Sequence, residues 1–127
     1  RLEFQMELDT DRYGMEAAAE TVANAGPDGM TACFCTNDAL AHHLLSLLYL
    51  RGIRVPEQCS VVGFDNLDFS AITAPPLTTV SIPKTELGAR SVQKALQYLS
   101  GTLTAGDFRE QLPLKLIVRA STREVNG

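Results

Sequence analysis

The feature of the sequence that most constrains its fold is a pair of short apolar runs that end abruptly in polar residues. Residues 30–35 (MTACFC) are followed by the letters TND and a leucine-rich stretch, and residues 60–64 (SVVGF) are followed by DN. Apolar runs of this length, bounded by turn-forming residues, are typical of buried strands in a parallel sheet. The two runs therefore predict two buried strands joined by a helix.

The remaining chain continues this alternation of helix and strand. Further helices are predicted at residues 11–25 and 83–99, with Asp11 as a plausible N-cap, and further strands at residues 77–82 and 112–118. Pro113 makes the last strand an edge strand or a strand entry. The order αβαβ followed by βαβ indicates an α/β protein with a Rossmann-like, doubly wound and mainly parallel sheet.

The residues that follow the first two strands are candidates for a ligand site. In doubly wound sheets ligands bind at the carboxyl ends of the strands, so Asn37 and Asp65 would share one edge if their strands are neighbours. A carboxylate and a carboxamide suit the vicinal hydroxyls of a sugar, and Phe64 would supply an apolar wall. The alternatives are a helix cap for Asn37, a turn for Asp65 and a dipole-favouring residue of the first helical turn for Asp38.

Composition and motifs exclude several other functions. The 11 Lys and Arg are outnumbered by 15 Asp and Glu, which argues against phosphate binding by this chain itself. No apolar run is long enough to span a membrane, and the first residues do not resemble a secretory signal. No nucleophile motif or phosphate-binding glycine loop is present, so we predict no catalytic residue, no cofactor and no enzyme activity.

The cysteines and histidines do not predict a metal site. Cys33, Cys35 and Cys59 form no CxxC pair, and their odd number fits a reducing compartment such as the cytoplasm. The adjacent residues His42 and His43 diverge on a helix, so they do not readily chelate one ion. We therefore predict buried free thiols.

Three segments in order resemble the lactose/galactose repressor family of bacterial transcription regulators. They are TACFCTNDALAHHLLSLLYLRGIRVPEQCSVVGFDN, PPLTTVSIPKTELGARSV and LPLKLIVRAST, and the resemblance covers about residues 8–122. It implies a type I periplasmic-binding-protein-like fold, of which this chain is the C-terminal part. Residues 8–74 would belong to the C-terminal subdomain, 77–106 would return to the N-terminal one, and 111–122 would supply the final strand of the C-terminal one.

The resemblance also implies roles for particular residues. Asn37 and Asp65 match effector contacts of the family, and Asp9 lies near another such position. Lys84 follows a proline as in a subset of regulators that includes arabinose sensors, and it is either an effector contact or a solvated residue at a helix start.

The family forms dimers through its sensor domains, so the resemblance implies a homodimer or a higher homo-oligomer. His42, Leu45 and Ile72 are the candidate interface residues by this resemblance. An ordinary core explains the many leucines of residues 38–51 nearly as well as an interface does.

The function that the resemblance implies is a cytoplasmic sensor of a small effector, most often a sugar. Operator DNA would be bound only by an N-terminal domain that this chain does not contain, and the effector would control that binding allosterically. The alternatives are a soluble sugar-binding receptor of a transport system, which the free cysteines and the repressor-like PPLTTV and RAST segments disfavour, and a small α/β enzyme.

Overall fold

The computed structural model describes residues 12–24, 30–104, 106 and 109–124 of the 127-residue chain. The elements follow the predicted order of helices and strands. They are α1 (Arg12–Asn24), β1 (Ala32–Phe34), α2 (Asp38–Leu50), β2 (Ser60–Phe64), a 3₁₀ turn (Asp68–Ala71), β3 (Thr78–Ser81), α3 (Lys84–Leu99) and β4 (Lys115–Ile117). The α/β class is therefore confirmed, whereas the predicted cap Asp11 lies outside the described residues.

The strands form one sheet in the order β1-β2-β3-β4. β1 is parallel to β2 with Phe34 opposite Val62, and β2 is parallel to β3 with Phe64 opposite Val80. Two consecutive parallel pairs confirm the predicted parallel sheet. β4 lies at its end, and Pro113, predicted to lie inside an edge strand or at a strand entry, precedes β4. This order puts the carboxyl ends of β1 and β2 side by side.

A hydrophobic core lies between this sheet and the first two helices. Helix α2 packs against both α1 and β2, because its apolar side chains recur at helical spacing and form a wide stripe. The buried apolar residues are Ala18, Ala19, Val22, Cys35, Ala41, Leu44, Leu45, Leu48, Cys59, Val61 and Leu77. This core fixes the N-terminal end of α2 against the end of β2.

Strand β1 is not the buried strand that its apolar sequence predicts. Ala32 and Phe34 are exposed, Phe34 by 62%, and Cys33 is half-buried. The prediction was wrong because β1 lies at an edge of the sheet and only the face that carries Cys33 meets the core.

The chain divides into two compact units. Residues 1–80 and 116–127 form the first, and residues 81–115 form the second. In the second unit no residue of α3 is buried. Glu110 forms ion pairs with Arg90 at 3.7 Å and with Lys94 at 3.4 Å. The assignment of these stretches to subdomains stays a prediction.

Of the helices that the structure describes, none has the length and apolar character that crossing a lipid bilayer requires.

Candidate functional site

The carboxyl ends of β1 and β2 bring the two predicted contact residues to one edge of the sheet. The ladder continues one residue beyond β1, where the Cys35 amide donates to the Val62 carbonyl at 2.8 Å. Asn37 lies two residues after Cys35, beyond the end of β1, and Asp65 directly follows the last residue of β2. The condition set by the sequence, that the two strands be neighbours, is therefore met.

Asn37 caps helix α2. Its backbone is extended, with φ −154° and ψ 166°, and its Oδ1 accepts a hydrogen bond from the Leu40 amide at 2.8 Å. This bond satisfies one of the unpaired amides at the helix start. Within the described residues nothing pairs with the Asn37 side-chain amide, so the helix cap leaves two donors for a ligand.

Asp65 occupies a turn in an unusual backbone conformation. Its φ is 101°, which residues other than glycine rarely adopt, and that of Asn66 is 50°, in the left-handed region that asparagine adopts more often than most residues. The Asp65 amide donates to the Val80 carbonyl at 2.9 Å, which holds the turn against β3. No group in the described part of the chain donates to the half-buried Asp65 carboxylate.

Asp38 is the residue whose role the sequence missed. Its side chain is fully buried and accepts hydrogen bonds from the Leu67 amide at 2.7 Å, from Ser70 Oγ at 2.5 Å and from Thr79 Oγ1 at 2.5 Å. The interpretation as a simple first-turn residue was therefore incomplete. Asp38 joins the start of α2 to the turn that carries Asp65 and to β3.

Gly63 makes this arrangement sterically feasible. A Cβ at this position would collide with the Asp38 carboxylate and would lie 2.9 Å from Leu77 Cδ2. Only glycine lets β2 approach the buried carboxylate this closely. A glycine inside a predicted strand indicates that another group approaches the backbone closely at that position. Gly63 was therefore the sequence signal from which the buried contact of Asp38 could have been suspected.

Phe64 is the last residue of β2 and precedes Asp65. Its side chain is half-buried, on the face of the strand opposite to buried Val61 and Gly63. The structure therefore keeps it available as the predicted apolar wall.

Two further effector contacts, Asp9 and Lys84, were predicted from the sequence. Asp9 lies outside the described residues. Lys84 is the exposed first residue of α3 and belongs to the second unit, and its amide donates to the Ile82 carbonyl at 2.9 Å. Both roles stay predictions.

The predicted interface residues fall into two environments. His42 is exposed and its ring lies 5.7 Å from that of Phe69, and together with Ile72 and Thr73 they line an open pocket. Ile72 is 83% exposed, whereas Leu45 is 4% exposed and packs in the core. Leu45 thus packs inside the fold of this chain, and the interface role of all three residues stays a prediction.

The three cysteines are free thiols, as predicted, and lie at the core face of β1 and β2. The Cys59 thiol donates to the Cys33 sulfur over 3.8 Å, which lowers the pKa of Cys33, and burial raises the pKa of Cys35 to about 12. In the described part of the chain, no group of three or more His, Cys, Asp or Glu side chains has the arrangement of a metal site.

Comparison with known proteins accounts for this geometry. Residues 2–122 match the family described as the periplasmic binding protein-like domain. Over 112 residues the chain is 35% identical to the HTH-type transcriptional repressor PurR of Photobacterium profundum, covering 88% of this chain and 33% of the relative. The chain thus spans about a third of the length of such relatives.

Solved structures give the same result. A LacI family transcriptional regulator from Arthrobacter sp. FB24, in complex with lactose, is 29% identical and superposes with a TM-score of 0.77, over 91% of this chain and 44% of that one. The lac repressor dimer, bound to operator and the anti-inducer ONPF, is 31% identical with a TM-score of 0.76, over 91% and 40%.

The parallel sheet and these likenesses define a domain of the periplasmic binding protein-like class. More narrowly, the chain belongs to the effector-binding domains of the LacI/GalR family of transcriptional regulators.

Proposed function

We propose that this chain is the ligand-binding part of a cytoplasmic transcriptional repressor whose effector is a sugar. The observation that carries the proposal is Asp65: a carboxylate at the carboxyl end of a parallel strand, held in a strained turn, to which no described group donates. A strained polar residue without a protein partner is costly unless it serves a ligand.

The chemistry of the edge favours a polyhydroxylated ligand. Asp65 offers two acceptor oxygens, Asn37 offers two amide donors, and Phe64 offers an apolar surface for the faces of a sugar ring. The related LacI family regulator bound to lactose supports the same class of ligand. We keep Lys84 and Asp9 as candidate contacts.

We expect effector binding to control DNA binding through thermodynamic linkage between the two events. An effector shifts the balance between two conformations only by as much as it binds one of them more tightly. In the proposed protein the effector closes or opens the sensor, and that change alters how a DNA-binding domain outside this chain meets its operator. The repressors among the relatives support this function over a transport receptor.

The test is a thermal-shift screen of the full-length protein with lactose, glucose, glucose 6-phosphate and adenine. A ligand that binds only the folded state raises the melting temperature by mass action. We expect a sugar to raise it in the parent and to have no effect on Asp65→Asn. Asp68→Asn is the matched control, because Asp68 is an exposed acid three residues away.

Two results contradict the proposal. One is the absence of a shift with every sugar, and a shift with adenine alone would make the effector a purine. The other is an equal shift in the parent and in Asp65→Asn, which would place the ligand elsewhere.

We further propose that the protein is a homodimer through the surface around His42 and Ile72. An isoleucine that is 83% exposed beside an open pocket with an aromatic lining suits burial by a second copy. In a sedimentation experiment Ile72→Lys should shift the protein towards monomer. The control is Leu50→Lys, which changes an apolar side chain of the same size that is 77% exposed at the C-terminal end of α2, and it should sediment like the parent. Equal sedimentation of Ile72→Lys and the parent contradicts this interface.

A further inference from the structure

Arg119 lies two residues beyond β4, and its half-buried guanidinium joins two other segments of the first unit. One terminal nitrogen donates to the Leu77 carbonyl at 2.6 Å and the other to Asn66 Oδ1 at 2.8 Å. Both acceptors are neutral, and the described residues supply no carboxylate within ion-pair distance of Arg119. A guanidinium used in this way is a geometric clamp rather than half of a salt bridge.

The first end of the clamp holds the turn that presents Asp65. Asp65 has a φ of 101°, a costly conformation that persists only where surrounding contacts enforce it, whereas Asn66 has a φ of 50°, in the left-handed region that asparagine tolerates. The Asn66 amide donates to Thr79 Oγ1 over 3.3 Å, and its side-chain oxygen is the acceptor for Arg119. The direction of the Asp65 carboxylate thus depends on the fixed position of Asn66.

The second end of the clamp holds the entry to β3. Leu77 is the residue before β3, and the Arg119 amide also donates to Thr78 Oγ1 at 2.9 Å. The chain passes from the first unit to the second just beyond residue 80 and returns just before residue 116. Arg119 therefore ties together the turn after β2, the strand that leaves the first unit and the segment that re-enters it.

We infer that Arg119 is a positioning residue of the effector site, which it serves through Asn66 without contacting the effector. By the same contacts it links the turn that would sense the effector to the two chain crossings between the units. This inference rests on the proposed function of Asp65. Its two consequences, order in the turn and affinity for the effector, are measured separately.

The first experiment needs no effector. Hydrogen–deuterium exchange of the full-length protein is compared for the parent and Arg119→Lys, because lysine keeps the charge but lacks the planar fork that reaches two acceptors. We expect exchange of the amides of residues 66 and 67 to become roughly tenfold faster, the size expected for loss of a charge-assisted hydrogen bond. Exchange in α2 should not change.

Arg123→Lys is the matched control, since Arg123 lies on the same segment, is exposed and uses only its backbone amide in a described bond. Asn66→Ala is a second variant, because it removes the same bond from the opposite end and leaves the Leu77 contact intact. Unchanged exchange at residues 66 and 67 in both Arg119→Lys and Asn66→Ala overturns the inference. An equal increase in exchange rate at amides throughout the first unit also overturns it, because that result shows a loss of overall stability and no specific effect on the turn.

The second experiment measures affinity for lactose, or for whichever sugar of the thermal-shift screen binds, by calorimetry. Arg119→Lys should bind roughly tenfold more weakly, and the double variant with Asn66→Ala should bind no more weakly than the weaker single variant, because the two residues act as one unit. Additive losses, or unchanged affinity in Arg119→Lys, contradict a role through Asn66. If no sugar binds the parent, the proposed function fails, and the exchange experiment still decides whether Arg119 orders the turn.

Discussion

The two acidic residues beside the strand ends, Asp38 and Asp65, are nearly equivalent in sequence and opposite in structure. Each lies next to an asparagine at the end of an apolar run. Asp38 is fully buried and accepts three hydrogen bonds, whereas no described group donates to the half-buried Asp65. The first carboxylate has its hydrogen-bonding capacity used inside the fold, and we propose that the second keeps its capacity for a ligand. On this proposal the contrast separates a residue that supports the site from one that contacts the effector.

The largest expected effect comes from Asp38→Ala. The substitution leaves the Leu67 amide and the hydroxyls of Ser70 and Thr79 buried without their acceptor, at a cost of about 3–5 kcal/mol in the free energy of unfolding. Urea denaturation of the full-length protein measures this loss. Asp38→Asn, which retains one carbonyl oxygen, should lose less, and a loss below about 1 kcal/mol for Asp38→Ala would remove Asp38 as the support of the turn.

Gly63→Ala tests the same support from the strand. The added methyl group collides with the Asp38 carboxylate and with Leu77, so we expect a loss of about 1–3 kcal/mol. Gly88→Ala is the control, because outside its own stretch of helix no described atom lies within 4 Å of a Cβ there, so stability should rise by up to about 1 kcal/mol. Denaturation curves in which both variants gain stability would contradict the close approach.

Asp65→Gly is expected to change stability in the opposite direction to Asp38→Ala. Glycine adopts a φ near 101° without the strain that a side chain causes, so the free energy of unfolding should rise by roughly 1 kcal/mol. The same variant should lose sugar binding, because the carboxylate is gone. A variant that is less stable than the parent by thermal melting would show that Asp65 contributes to the fold and is not reserved for a ligand.

The same contrast between a half-buried and a buried group recurs in Cys33 and Cys35, and it gives the smallest expected effect. Thiolates are the reactive species. Because the pKa of Cys33 is lowered and that of Cys35 is raised to about 12, Cys33 should be alkylated by iodoacetamide at a lower pH than Cys35 in the folded protein. Mass spectrometry of partially alkylated protein identifies the site, and modification of Cys35 before Cys33 would contradict the burial of Cys35.

The sequence was sufficient for the parts of the fold that depend on periodicity. Apolar runs of strand length, helical spacing in α2 and the polar residues after each strand predict the element order and the shared edge of Asn37 and Asp65. The same information does not decide which side of a strand is covered, and β1 was therefore predicted to be buried although Phe34 is exposed. Exposure of an edge strand depends on sheet order, which is a tertiary property.

The role of Asp38 illustrates what local patterns omit. An aspartate in the first turn of a helix has a sufficient local explanation in the helix dipole. Its three donors come from positions 29, 32 and 41 residues away along the chain. Only Gly63 hinted at such a contact. Residues that organise a site across long sequence separations are the ones that local reasoning finds last.

The most direct test of the account is a crystal structure of the full-length protein with the sugar that gives the largest thermal shift. The account predicts that sugar hydroxyls lie about 2.7 Å from the Asp65 carboxylate, that the Asn37 amide donates to the same sugar, and that Asp38 keeps its three donors. A sugar bound away from the carboxyl ends of β1 and β2, with Asp65 facing solvent, would contradict the assignment of this edge as the effector site.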